Sequence, residues 1–213
     1  DVYCEKPLTL TIDEGKMLVK TVKETGQILQ VGTQQRTEFG RNFLRAVVMA
    51  QSGRLGKIKK VTAAIGGTPK NGPFKKTAPP DPLNWDFWLG QAPKVEYIRE
   101  RCHGNFRWWY EYSGGQMTDW GAHHLDIAQW GMDMDNSGPV EVIPPNGKDV
   151  KLLTYKYANG TLMFHGGGGN GVVFGDGLRC AGGAARRLEI VTSDSTGAAR
   201  TTVDVGASGQ VAP

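Results

Sequence analysis

Cysteine is scarce: Cys4, Cys102 and Cys180 lie far apart in 213 residues and form no C-x-x-C pair. That excludes a cysteine-based zinc framework and an evident disulfide scaffold, and reads as buried thiols of a reducing compartment. No apolar run is long enough to cross a bilayer, so no membrane partner is expected. Clustered positive charge is missing too. The net charge is +4, and Lys59-Lys60 and Lys75-Lys76 read as solvated surface, so no nucleic-acid partner is expected. No initiator Met or signal-peptide pattern opens the chain. Asp1-Val2-Tyr3-Cys4-Glu5-Lys6-Pro7 reads as the inside of a domain, beginning on a buried strand, so targeting is not read from it. Past Phe174 there is no aromatic residue and no Lys, and no function is assigned to that tail, from about 175 to 213.

What is present has the composition of a globular chain, enough for one large domain or two small ones. After the strand at Val2-Tyr3-Cys4, Thr11 and Glu14 form a capping box. Gly15, Leu18, Val19 and Val22 then repeat at helical spacing, Gly26 supplies the stop, and Ile28 to Gly32 is a second strand. Strand, helix and strand make a βαβ unit. Phe43, Leu44, Val47 and Val48 mark a further helix ending near Gly53, and Ile58 to Ile65 alternates as a strand with Val61, Ala63 and Ile65 on one face. Residues 67 to 113 lack periodicity, yet all six Trp fall between 85 and 130, which argues that this long loop is ordered. The Trp faces either tie the loop down or line a pocket for a flat polyhydroxylated ligand. A helix is expected over about 115 to 131. Strands follow at Val140 to Ile143, Val150 to Tyr157, Thr161 to His165, Val172 to Phe174 and Leu188 to Val191, with Ala158-Asn159-Gly160 as a hairpin turn. Several strands after helices predict a mostly antiparallel sheet with helices on one face.

Gly166 to Gly171 satisfies G-x-G-x-x-G, but a strand follows it rather than the helix that a pyrophosphate site needs, so it is rejected as a cofactor loop. Chemistry concentrates in Gly114-Gly115-Gln116-Met117-Thr118-Asp119-Trp120-Gly121-Ala122-His123-His124-Leu125-Asp126. On a helix Asp119 and His123 are i and i+4 and share a face. Spacing alone leaves them equally a buried structural pair and a catalytic acid/base pair. A metal is the poorest reading, because adjacent His123 and His124 diverge by about 100° and cannot converge with Asp119. Lys6, at a strand end, is either plain surface or a residue at the carboxyl edge of a sheet, where ligands bind in open α/β folds.

Glu5-Lys6-Pro7 closing a strand, then "ILQVGTQQR" and "GGQMTDWGAHHLDIAQWG", resembles the glucose–fructose oxidoreductase/inositol dehydrogenase (Gfo/Idh/MocA) family. The likeness runs from Asp1 to about Gly171 and is greatest to a bacterial branch with the aromatic insertion "NWDFWLG…FRWWYEYSGGQMTDWGAHH". It implies that residues 1–33 are the C-terminal remnant of a Rossmann domain binding NAD or NADP. Residues 34–213 would be an α/β domain whose large, mostly antiparallel open sheet holds a sugar-like substrate and joins subunits of a homo-oligomer. The family's glycine-rich loop would precede Asp1, so the chain alone is expected to hold NAD(P) poorly and to leave a strand edge exposed. By the same resemblance Lys6, Asp119 and His123 are the catalytic residues. Glu5, Lys6, Gln35 and Arg36 would meet the cofactor, and His124, Arg107 and Trp108 the substrate. No metal is implied. The implied activity is hydride transfer between a nicotinamide and a sugar or polyol. Alternatives are NAD-assisted glycoside cleavage and a non-catalytic sugar-binding or assembly subunit. Localisation is open between the cytoplasm and the periplasm, reached by a twin-arginine signal upstream.

Overall fold

The structure, a computed structural model, describes residues 1–69, 72–166, 170–175, 178–180 and 188–190. Gly167, Gly168 and Gly169 of the glycine run, Val191 and the tail beyond it lie outside the described residues. In chain order the elements are β1 (Val2–Glu5), α1 (Ile12–Thr25), β2 (Leu29–Gly32), α2 (Asn42–Gln51), β3 (Lys60–Ile65), α3 (Trp85–Leu89), α4 (Gly115–Asp119) and α5 (Gly121–Gly131). They continue with β4 (Glu141–Ile143), β5 (Leu153–Lys156), β6 (Leu162–His165), β7 (Asn170–Phe174), β8 (Leu178–Cys180) and β9 (Leu188–Ile190). The chain forms two compact units, residues 1–31 with 67–119, and residues 32–66 with 120–213.

In the first unit β1 and β2 form a two-stranded sheet joined by α1. The capping box is formed: Glu14 N–H donates to Thr11 Oγ1, and the Glu14 carboxylate accepts from the Thr11 N–H. Gly26 ends the helix in the left-handed region, at φ 66°. One expectation is corrected here. β1 reads as a buried strand, but Val2 and Tyr3 are 57% and 62% exposed, and no residue of α1 is buried. Alternating apolar side chains announce which face seeks burial, and burial itself depends on what lies opposite. From residue 72 onward the long loop is tied together by its aromatics. Trp85 and Trp88 stack at 4.8 Å between centroids, Tyr97 and Tyr112 meet them edge-on, and Trp85 Nε1 donates to the Val95 carbonyl. Arg101 lies 4.0 Å from the Trp109 ring centroid and donates to Glu111 at 3.1 Å. For these rings the tie-down reading holds.

The second unit is a seven-stranded sheet in the order β4-β5-β6-β3-β7-β8-β9. Among the described residues only β3 and β6 are parallel neighbours; the other neighbours are antiparallel. The register puts Val61 beside Met163 and Phe174, and Ala63 beside Val172. These side chains and those of α2 (Phe43, Ala46, Val47, Ala50) and α5 (Ile127, Ala128) make one buried cluster, so both helices cover the same sheet face. Asn159-Gly160 turns the β5–β6 hairpin, with Gly160 at φ 85° and the Thr161 N–H on Asn159 Oδ1. Asn170 and Gly171, at the end of the glycine run, already belong to the strand β7, in keeping with its rejection as a phosphate loop.

Candidate active site

Lys6 leaves the end of β1 and Asp119 ends α4, both in the first unit. Lys6 Nζ donates to Asp119 Oδ1 at 2.9 Å and to the Asp119 carbonyl at 3.0 Å. The second bond depends on a local irregularity. The helix expected over 115 to 131 is interrupted at Trp120, although that residue keeps helical angles (φ −79°, ψ −28°). The Asp119 carbonyl, which in a continuous helix would accept from the N–H four residues on, is instead used by Lys6. Both side chains are largely withdrawn from water, where a charge pair is stronger than at the surface.

An ammonium has three donors, and Asp119 takes two of Lys6's. The third has no partner among the described residues. Lys6 and Asp119 line a pocket of about 450 Å³ together with Thr9, Arg107, Ser113 and Thr118. Arg107 Nη1 stands 3.3 Å from Asp119 Oδ2, and its guanidinium lies 5.1 Å from the Trp108 ring centroid. Lys6, Asp119 and Arg107, with Trp108 beneath the arginine, are thus brought together. Glu5 is exposed on β1. The hydroxyls of Thr9 and Ser113, in loops, and of Thr118, on α4, were not anticipated, since isolated Ser and Thr carry no sequence signal.

His123, His124, Gln35 and Arg36 belong to the second unit. His123 is buried in the first turn of α5, its ring edge-on to Trp120 at 6.0 Å. His124 is 0% exposed, and its Nδ1 lies 2.7 Å from the Ala64 carbonyl of β3. That contact assigns the proton to Nδ1 and makes Nε2 the acceptor. Burial pushes the His124 pKa down, and the Ala64 carbonyl only partly offsets it. In this conformation His124 is a core residue joining α5 to the sheet. Gln35 is buried in a short turn after β2. Arg36 is engaged on all sides: Nε and Nη2 reach Asp126, Nη1 and Nη2 reach Asp135, at 2.6 to 2.9 Å, and Trp130 lies below its plane. Its guanidinium pKa is raised by those two carboxylates, Asp126 first. Asp126 therefore serves Arg36. Among the described residues no group of three His, Cys, Asp or Glu is placed to hold a metal.

A mostly antiparallel sheet covered on one face by two helices is consistent with the C-terminal α/β domain of a class of oxidoreductases. The family model "Oxidoreductase family, C-terminal alpha/beta domain" (GFO_IDH_MocA_C2) matches residues 68–172. Residues 68–172 thus match the C-terminal domain of the Gfo/Idh/MocA oxidoreductase family. It is similar to the uncharacterized oxidoreductase YrbE of Bacillus subtilis, 23% identical over 76% of this chain and 39% of the relative. It is also similar to scyllo-inositol 2-dehydrogenase (NAD(+)) of the same organism, 29% identical over 61% of this chain and 27% of the relative. The chain thus spans well under half the length of these curated relatives. Among solved structures, the WlbA dehydrogenase from Bordetella pertussis, in complex with NADH and UDP-GlcNAcA, superposes with a TM-score of 0.57. That match has 18% identity and covers 89% of this chain and 55% of the other, a likeness of fold.

Proposed function

We propose that the chain is the substrate-handling part of an NAD(P)-dependent oxidoreductase that acts on a sugar or polyol hydroxyl and its carbonyl. Residues 1–33 are read as the end of a nucleotide-binding domain, and residues 34–213 as the substrate and oligomerisation domain, with subunits associating through the open sheet. The observation that carries this reading is the spare N–H of Lys6, held by Asp119 at the wall of a pocket of mixed polar and apolar lining. A hydroxyl oxygen accepting that N–H is polarised as its proton leaves, and the fixed positive charge stabilises the oxyanion that develops. Asp119 is a positioning residue for Lys6, clamping it through two acceptors. His123 is assigned the acid/base role by family resemblance. A family relative named for NAD(+) and a fold neighbour bound to NADH support a nicotinamide cofactor. When bound, that cofactor supplies the hydride acceptor.

The residues present fit only part of such a cofactor. Lys6 and Glu5 stand at a strand end suited to its reacting ring, whereas no glycine-rich strand-to-helix turn occurs among the described residues to cradle a pyrophosphate. Titrating the chain with a panel of neutral sugars and polyols, followed by Trp fluorescence, tests the reading. A saturable response is expected that Lys6→Met weakens about tenfold, the value of one charge-assisted hydrogen bond. No saturable response, or binding indifferent to Lys6, would overturn it.

A further inference from the structure

Resting on that reading of the pocket, the geometry points to an acidic sugar as its ligand: a polyhydroxylated monocarboxylate such as a uronate or aldonate. Its carboxylate would lie on Arg107 and a hydroxyl on Lys6. The charged lining of the pocket is Lys6, Arg107 and Asp119, two cations and one carboxylate, which leaves one positive charge unbalanced. Asp119 cannot neutralise both. Its Oδ1 takes a Lys6 hydrogen bond at 2.9 Å, while Oδ2 has only the longer 3.3 Å approach of Arg107. Glu111, the next acidic residue along the chain from Arg107, is already held by Arg101 at 3.1 Å.

Arg107 is poised rather than spent. Its side chain is 40% exposed; Nη1 is paired at 3.3 Å with Asp119, Nε is buried, and among the described residues Nη2 makes no hydrogen bond. The Trp108 ring at 5.1 Å lies against the guanidinium and takes none of its N–H donors. A planar fork of this kind matches a carboxylate bidentately. A single negative charge balances the pocket, whereas a dianionic phosphate would overshoot it. The hydroxyls of Thr9, Ser113 and Thr118 suit the rest of a sugar, and about 450 Å³ falls within the roughly 300–1,000 Å³ of small-molecule sites.

The test compares D-glucuronate, D-glucose and D-glucose 6-phosphate as titrants of the whole chain at matched ionic strength, by calorimetry. Glucuronate is expected to bind about tenfold more tightly than glucose, with glucose 6-phosphate weaker than glucuronate. Arg107→Gln is expected to remove the preference, and the wild-type comparison keeps the result independent of how well that variant folds. Equal affinity for glucose and glucuronate overturns the assignment of an acidic ligand, even where Lys6-dependent glucose binding upholds the pocket reading. A preference that survives Arg107→Gln overturns the role of Arg107. Tighter binding of glucose 6-phosphate overturns the choice of a monocarboxylate, and no Lys6-dependent binding of any titrant overturns the pocket reading as well.

Discussion

At the scale of single residues, neighbours decide what a side chain does. His123 and His124 are adjacent in sequence and look equally suited to chemistry, yet His124 is closed into the core against the Ala64 carbonyl. Its burial has a consequence for pH. With its folded pKa below the ordinary 6.5, His124 stays neutral in the fold while the unfolded chain takes up a proton. The stability this contributes is fully present above 6.5 and is lost as pH falls from there through the folded pKa. Urea denaturation followed from neutral to mildly acidic pH should show a falling midpoint, and His124→Gln should flatten part of that fall. A midpoint that stays level in the wild type would contradict it. Lys6 and Asp119 could be named from sequence by the company they keep. What could not be read there is that the Asp119 carbonyl, as well as its carboxylate, holds the ammonium. Arg36 shows the reverse: the family resemblance assigns it to the cofactor, whereas Asp126 and Asp135, far along the chain, occupy its donors.

Among the elements, those with a local signal were legible. The α1 capping box, the Gly26 stop, the Asn159-Gly160 turn and the alternation in β3 each act over a few residues, and each forms where the pattern predicts. β8 carries too short a pattern to read, because a three-residue strand is defined by its partners β7 and β9. The interruption at Trp120 also lacked a signal, since Trp is an ordinary helix residue. Helix-to-sheet packing is equally silent in sequence. A Cβ placed on Gly131, at the end of α5, would come within 2.2 Å of the buried Phe174 ring of β7. Gly131→Ala is therefore expected to destabilise the fold by about 1–3 kcal/mol despite its better helix propensity. Denaturant unfolding measures this, and a neutral or stabilising result would show that α5 does not approach β7 so closely.

For the whole molecule, the two units differ in how they use apolar surface. The sheet unit buries a continuous core, while residues 1–31 leave Leu10, Ile12, Met17, Val19 and Ile28 exposed beside Val2 and Tyr3. No glycine-rich strand-to-helix turn occurs among the described residues, so the chain alone is expected to bind NAD(P) more weakly than micromolar. Fluorescence titration with each cofactor checks it, and micromolar binding would refute the expectation. The sequence by itself determined the element types, the sheet-forming half and the Lys6, Asp119 and His123 candidates, because periodicity, caps and motif spacing are short-range properties. Only the tertiary structure decided that Lys6 reaches Asp119, that Arg107 has uncommitted donors beside them, and that His124 and Arg36 serve the fold. Each of those depends on groups up to 113 positions apart, and no local pattern encodes which distant partner a charge will meet.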